Sequence, residues 1–120
     1  MKMSEEIKKA VAEYKPSLVA TANRAGKPNV SAKGSLKVLD EEHLFFADVR
    51  SPRTVSNLKE NPQIAIICLN PTTRKGCRIW GTAEVLVSGE LFDQATKEYA
   101  ARNTKVNHVV KITVEDALAF

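Results

Sequence analysis

The chain has 120 residues, 27% of them charged, and a formal net charge of +4. That length suffices for one domain with its own hydrophobic core and no need of disulfides or structural metal. The charge excess is too small to argue for nucleic acid by itself, though it suits a phosphorylated ligand, and no apolar run approaches the roughly 20 residues that cross a bilayer.

The first residues, Met1-Lys2-Met3-Ser4-Glu5-Glu6, turn acidic where a secretory leader would turn apolar, so cytoplasm is the expected compartment. Residues 4–14 read as a helix, with Ile7, Val11 and Tyr14 on one stripe, Ser4 as cap, and Glu5 and Glu6 at the positive end of the dipole. A hairpin follows: Leu18 to Asn23 is extended and apolar, and Arg24-Ala25-Gly26-Lys27-Pro28 turns it. From Asn29 to Leu39 the pattern predicts one long strand. Val30, Ala32, Gly34, Leu36 and Val38 form its apolar face, and Ser31, Lys33, Ser35 and Lys37 its cationic, hydroxyl-bearing face.

After a turn at Asp40-Glu41-Glu42, His43 to Val49 reads as a strand, and Ser51-Pro52-Arg53-Thr54 opens a short helix ending near Asn61-Pro62. Ile64 to Leu69 is apolar on both faces, as a strand buried in mid-sheet would be. Arg74 to Val87 is a long strand with a bend at Gly81. Ser88-Gly89 breaks it, and Glu90 to Ala101 is a helix with Leu91, Ala95 and Tyr99 inward. Asn107 to Val114 closes the chain as a strand that can extend to Phe120. Meander-like strands with single helices at intervals predict a mainly β fold with a few helices, a small antiparallel split β-barrel over residues 1–120, rather than βαβ units. Cys68 and Cys77 lack metal-ligand and Cys-x-x-Cys spacings. With residues 71–74 as a hairpin loop they face one another, and packing rather than a bridge is expected of them.

Ser51-Pro52-Arg53-Thr54 carries the chemistry. Serine before proline at a helix start supplies a cap and a residue whose missing N–H is not needed there, leaving the next amides pointing outward. Arg53 adds a planar cation, Ser51 and Thr54 add hydroxyls, and the helix dipole favours an anion, so the four residues form a phosphate cradle. The bland alternative is a capped helix with Arg53 in solvent. Ser31, Lys33, Ser35 and Lys37 on the preceding strand would converge on the same anion, or else form an ordinary solvated strand face. His43 and His108 stand in no catalytic spacing and read as structural or exposed.

The run Val30-Ser31-Ala32-Lys33-Gly34-Ser35-Leu36-Lys37-Val38, then Leu44-Phe45-Phe46-Ala47-Asp48, then Ser51-Pro52-Arg53-Thr54 and Asn57-Leu58-Lys59-Glu60-Asn61-Pro62, resembles the FMN-binding split-barrel family, which includes pyridoxamine 5′-phosphate oxidase and small bacterial FMN-binding proteins. Element order extends the resemblance over most of the chain, including Arg78-Ile79-Trp80-Gly81-Thr82-Ala83, and residues 30–62 are its most specific part. It implies FMN as cofactor, with Val30, Ser31, Ala32 and Lys33 contacting flavin and phosphate, Ala47 and Asp48 along the ring through their backbone, and Ser51, Arg53 and Thr54 at the phosphate. The oxidase has an arginine-lysine pair where this chain has Arg53 and Thr54, so the phosphate would lean harder on Lys33. Family members are homodimers with the flavin at the interface. Trp80 is then either a contribution to the partner's site or a core aromatic.

The implied function is flavin redox, as an oxidoreductase on a small molecule or an electron-transfer protein, with no protein base required. Oxidation of pyridoxamine phosphate itself is not expected, because that enzyme carries substrate-binding residues in a C-terminal region beyond the equivalent of Phe120. A deazaflavin in place of FMN stays open, while no His or Cys is placed as a haem ligand. The second class is a non-catalytic binding module, such as a basic β-barrel for single-stranded nucleic acid, but the Ser31-to-Lys37 face has no aromatic for stacking.

Overall fold

A computed structural model describes residues 1–120. The elements run α1 (Glu5–Glu13), β1 (Ser17–Ala22), β2 (Pro28–Lys33), β3 (Lys37–Val38), β4 (His43–Asp48), α2 (Pro52–Glu60), β5 (Gln63–Leu69), β6 (Gly76–Leu86), α3 (Glu90–Ala100) and β7 (His108–Ala119). All seven strands join one antiparallel sheet in the order β2-β1-β5-β6-β7-β4-β3.

The predicted long strand from Asn29 to Leu39 is two strands on opposite edges of this sheet. β2 pairs with β1, β3 pairs with β4, and Gly34, Ser35 and Leu36 alone connect them. Four Cα steps span at most about 14 Å. The sheet therefore has to curl until its two edges nearly meet, which makes it a half-barrel.

Inward residues fill the curl: Val19 from β1, Ile64 and Ile66 from β5, Ile79 from β6, Phe46 from β4 and Ile112 from β7 are all buried. One end is closed by α1, which buries Ile7, Ala10 and Val11 and is capped as expected, Ser4 Oγ accepting from Ile7 N–H at 3.2 Å. A smaller apolar cluster of Ala47, Ala95, Val106 and Val109 seats α3, with Leu91 and Tyr99 packed against it. Cys68 and Cys77 are register partners on β5 and β6, both buried in the core as free thiols. A register shift between Trp80 and Gly81 marks the bend expected in β6.

Burial on β2 is the inverse of what its composition suggests. Val30 is 64% exposed, whereas Lys33 is buried. The reason is register: Ser31 and Lys33 pair with Val19 and Ser17, whose side chains turn inward, while Val30 and Ala32 pair with Ala20 and Leu18 on the outside. β5 likewise turns Ala65 and Ile67 to that outer face, where they are only partly covered, so it is not buried on both sides. Trp80 is no core aromatic either. It lies on the same outer face, beside Ala65.

Candidate functional site

The seam of the curled sheet, where β2, the end of β4 and the start of α2 meet, collects polar side chains that no apolar core would accept. Thr54 in the first turn of α2 is fully buried, and its Oγ1 lies 2.6 Å from Ser31 Oγ on β2. Two residues along β2, the Lys33 ammonium donates to Ser51 Oγ, and Ser51 in turn donates to Asp48 Oδ1. Asp48 Oδ2 bonds His108 Nδ1 at 2.8 Å. A continuous polar chain thus runs Lys33, Ser51, Asp48, His108, with the first three buried.

Ser51 occupies the N-cap position of α2, but its hydroxyl makes no capping bond. The expected cap is absent because Lys33 and Asp48 hold that hydroxyl. Pro52 follows at the first helical position, so the opening amides of a nine-residue helix stay without a side-chain acceptor. Arg53 is exposed and makes no ion pair. Together with Val30, Ser31, Ala32 and Lys33, these residues line a hollow of about 350 Å³.

Burial pulls the Lys33 ammonium below the ordinary lysine range, and the Asp48 carboxylate only partly offsets this. Lys33 also lies 5.4 Å from the centre of the Phe46 ring. Burial pushes the Asp48 carboxyl up, but hydrogen bonds from Ser51 and His108 with the charge of Lys33 outweigh it and hold the group below its usual value. The hollow is therefore cationic: a buried ammonium, a free guanidinium and uncapped amides converge there.

The other sequence-predicted residues fall elsewhere. Ser35 does not face the hollow with Lys33. Its Oγ accepts from the Ala47 N–H and donates to the Ala47 carbonyl, both at 3.2 Å, which occupies the Ala47 backbone groups expected along the ring. Lys37 pairs with Glu98 of α3 at 2.8 Å. Trp80 lies on the outer face of the sheet and does not reach the hollow within its own chain. His43 bonds Asp40 at 2.8 Å in the turn before β4. His108, expected to be structural or exposed, is partly buried and joins the polar chain: sixty residues separate it from Asp48, and only the β4–β7 register brings them opposite one another.

The sequence pattern of the family described as pyridoxamine 5′-phosphate oxidase matches residues 3–119. An uncharacterized protein of Methanocaldococcus jannaschii is 34% identical over 120 residues, covering 94% of this chain and 78% of its own length. Among solved structures, HupZ of Group A Streptococcus superposes with a TM-score of 0.90 at 25% identity, covering 98% of this chain and 94% of that one. An FMN-binding protein of Syntrophomonas wolfei superposes with a TM-score of 0.85 at 20% identity, covering 96% and 84%.

Proposed function

This chain belongs to the pyridoxamine 5′-phosphate oxidase family, and we propose that it is a flavoprotein holding FMN by its phosphate in the hollow between β2 and α2. The observation that carries the reading is the buried ammonium of Lys33, whose nearest partner is a neutral hydroxyl, beside the free Arg53 and the uncapped start of α2. A phosphate dianion fits that donor set: it supplies the direct ionic partner that Lys33 lacks and acceptors for the helix amides. The Syntrophomonas wolfei protein of the same fold is described as FMN-binding, which supports the choice of ligand.

The flavin supplies hydride or electron transfer, so the most economical role is an oxidoreductase acting on a small molecule. The chain itself contributes position and charge. Arg53 and Thr54 hold the phosphate, Ser31 fixes the Thr54 hydroxyl, and Ser51 orients Lys33. The nucleic-acid alternative loses its premise, because Ser31 and Lys33 turn inward and Lys37 sits on the opposite sheet edge, leaving no continuous cationic strand face.

The working unit is a homodimer. Leu18, Val30, Ile67 and Trp80 line an apolar hollow of about 300 Å³ on the outer sheet face. Val30 borders this hollow and the phosphate hollow alike, so a second copy seated there stands beside the cofactor.

Purified protein is expected to be yellow and to release a fluorescent compound identical to FMN on denaturation. Arg53→Ala should weaken FMN binding about tenfold or more, the worth of one charge-assisted phosphate contact. A colourless protein that ignores added FMN, or unchanged affinity in the variant, would overturn the reading.

A further inference from the structure

On the far side of the Asp48–Ser51 turn lies a second hollow, of about 650 Å³. Arg50, Lys59, Asn107 and His108 line it, and Arg50 also borders the phosphate hollow, so the two adjoin. Arg50 and Lys59 are exposed and take part in no ion pair. The only carboxylate in the lining is Asp48, and both its oxygens are already engaged, one by Ser51 and one by His108. No carboxylate in the wall forms an ion pair with either cation.

The imidazole here is fixed rather than free. Asn107 N–H donates to the Asp48 carbonyl at 2.9 Å and Asn107 Nδ2 to the Val49 carbonyl at 2.7 Å, pinning the start of β7 against the end of β4. The Asp48 carboxylate accepts from His108 Nδ1, so in the neutral ring Nδ1 carries the hydrogen and Nε2 carries the lone pair. Nε2 has no partner in the protein, and His108 is partly exposed in the hollow. A fixed acceptor beside two unpaired cations suits a ligand with an oxyanion at one end and an O–H or N–H group at the other.

We propose that this second hollow is the small-molecule site, taking an oxyanion-bearing ligand whose charge meets Arg50 and Lys59 and whose O–H or N–H group donates to His108 Nε2. The proposal rests on the FMN reading only for the cofactor beside it. The ligand chemistry follows from the lining of this hollow alone.

Monohydrogen phosphate is a suitable probe, since it carries an oxyanion and one hydroxyl, and sulfate is its control, with the same charge and no hydroxyl. Calorimetric titration of flavin-loaded protein at mildly alkaline pH should show phosphate binding more tightly than sulfate by about fivefold, the worth of one hydrogen bond. Lys59→Glu should weaken both anions about tenfold or more while FMN affinity stays within about twofold. His108→Ala should abolish the preference for phosphate and leave sulfate binding intact. Equal binding of the two anions by the wild type, or phosphate affinity unchanged in Lys59→Glu, overturns the proposal. Should flavin fail to load, absorbance reports the failure of the cofactor reading separately. The same titrations on the Arg53→Ala protein, whose phosphate cradle is weakened, then decide this site by the same criteria.

Discussion

Lys33 and Asp48 lie at the two ends of one buried hydrogen-bonded chain and answer differently to burial: the ammonium is pulled below its ordinary range, while hydrogen bonds and the Lys33 charge keep the carboxyl ionised. Burial penalises the Lys33 charge, and a phosphate beside it would relieve that penalty, so Lys33→Met is expected to weaken FMN binding or lower the flavin's reduction potential. Equilibrium titration with FMN and potentiometry of the bound flavin check this. Asp48 makes a pH prediction with a definite sign. Its carboxyl lies below the ordinary value of about 3.9, so folding favours the charged form. The stabilisation is fully present above the unfolded-chain value and is lost as pH falls through the depressed folded value. Below about pH 4, the wild-type urea midpoint should therefore drop more steeply than that of Asp48→Asn, and parallel curves for the two proteins would contradict the role given to this carboxylate.

At the scale of elements, β6 comes close to its neighbour's backbone at its bulge. A Cβ on Gly81 would stand 2.2 Å from the Thr113 carbonyl oxygen, where the neighbour is backbone and has no rotamer with which to yield. Gly81→Ala should destabilise the fold by about 2 kcal/mol or more, read as a lower urea midpoint at unchanged slope. The bend itself was legible in the sequence, as were all three helices, the β1–β2 hairpin and the last strand, because each carries a local signal of period, cap or turn. The break between β2 and β3 was not. Alternation continues through Gly34, Ser35 and Leu36 as if the strand ran on, and only the closing of the sheet makes those three residues cross from one edge to the other. The same limit applies to the polar seam: Ser31, Lys33, Ser51 and Thr54 were legible as phosphate-type residues near one helix start. The Asp48–His108 pair depends on β4–β7 register, which no local pattern encodes.

For the whole molecule, the inverted burial of β2 is the observation with the widest consequence. A strand that sends its lysine inward and its valine outward lies in a sheet with work on both faces: a polar seam inside and an apolar surface outside. On that outer surface Leu18 is 43% exposed and Trp80 38%, beside the 64% exposure of Val30. Contiguous apolar exposure of this kind on a small protein marks an association surface, and a net charge of only +4 sets little repulsion against two copies meeting. The proposed dimer is expected to elute and sediment at twice the chain mass of 13.2 kDa. Leu18→Lys places a charge at the exposed outer position opposite Ala32 and Ile67. The variant should run at the monomer mass and bind FMN more weakly, because a site bordered by Val30 loses its second wall, while its urea midpoint extrapolated to low protein concentration stays near that of the wild type. A wild type that sediments as a monomer with FMN bound would instead assign the outer face to some other partner and leave the phosphate hollow complete within one chain.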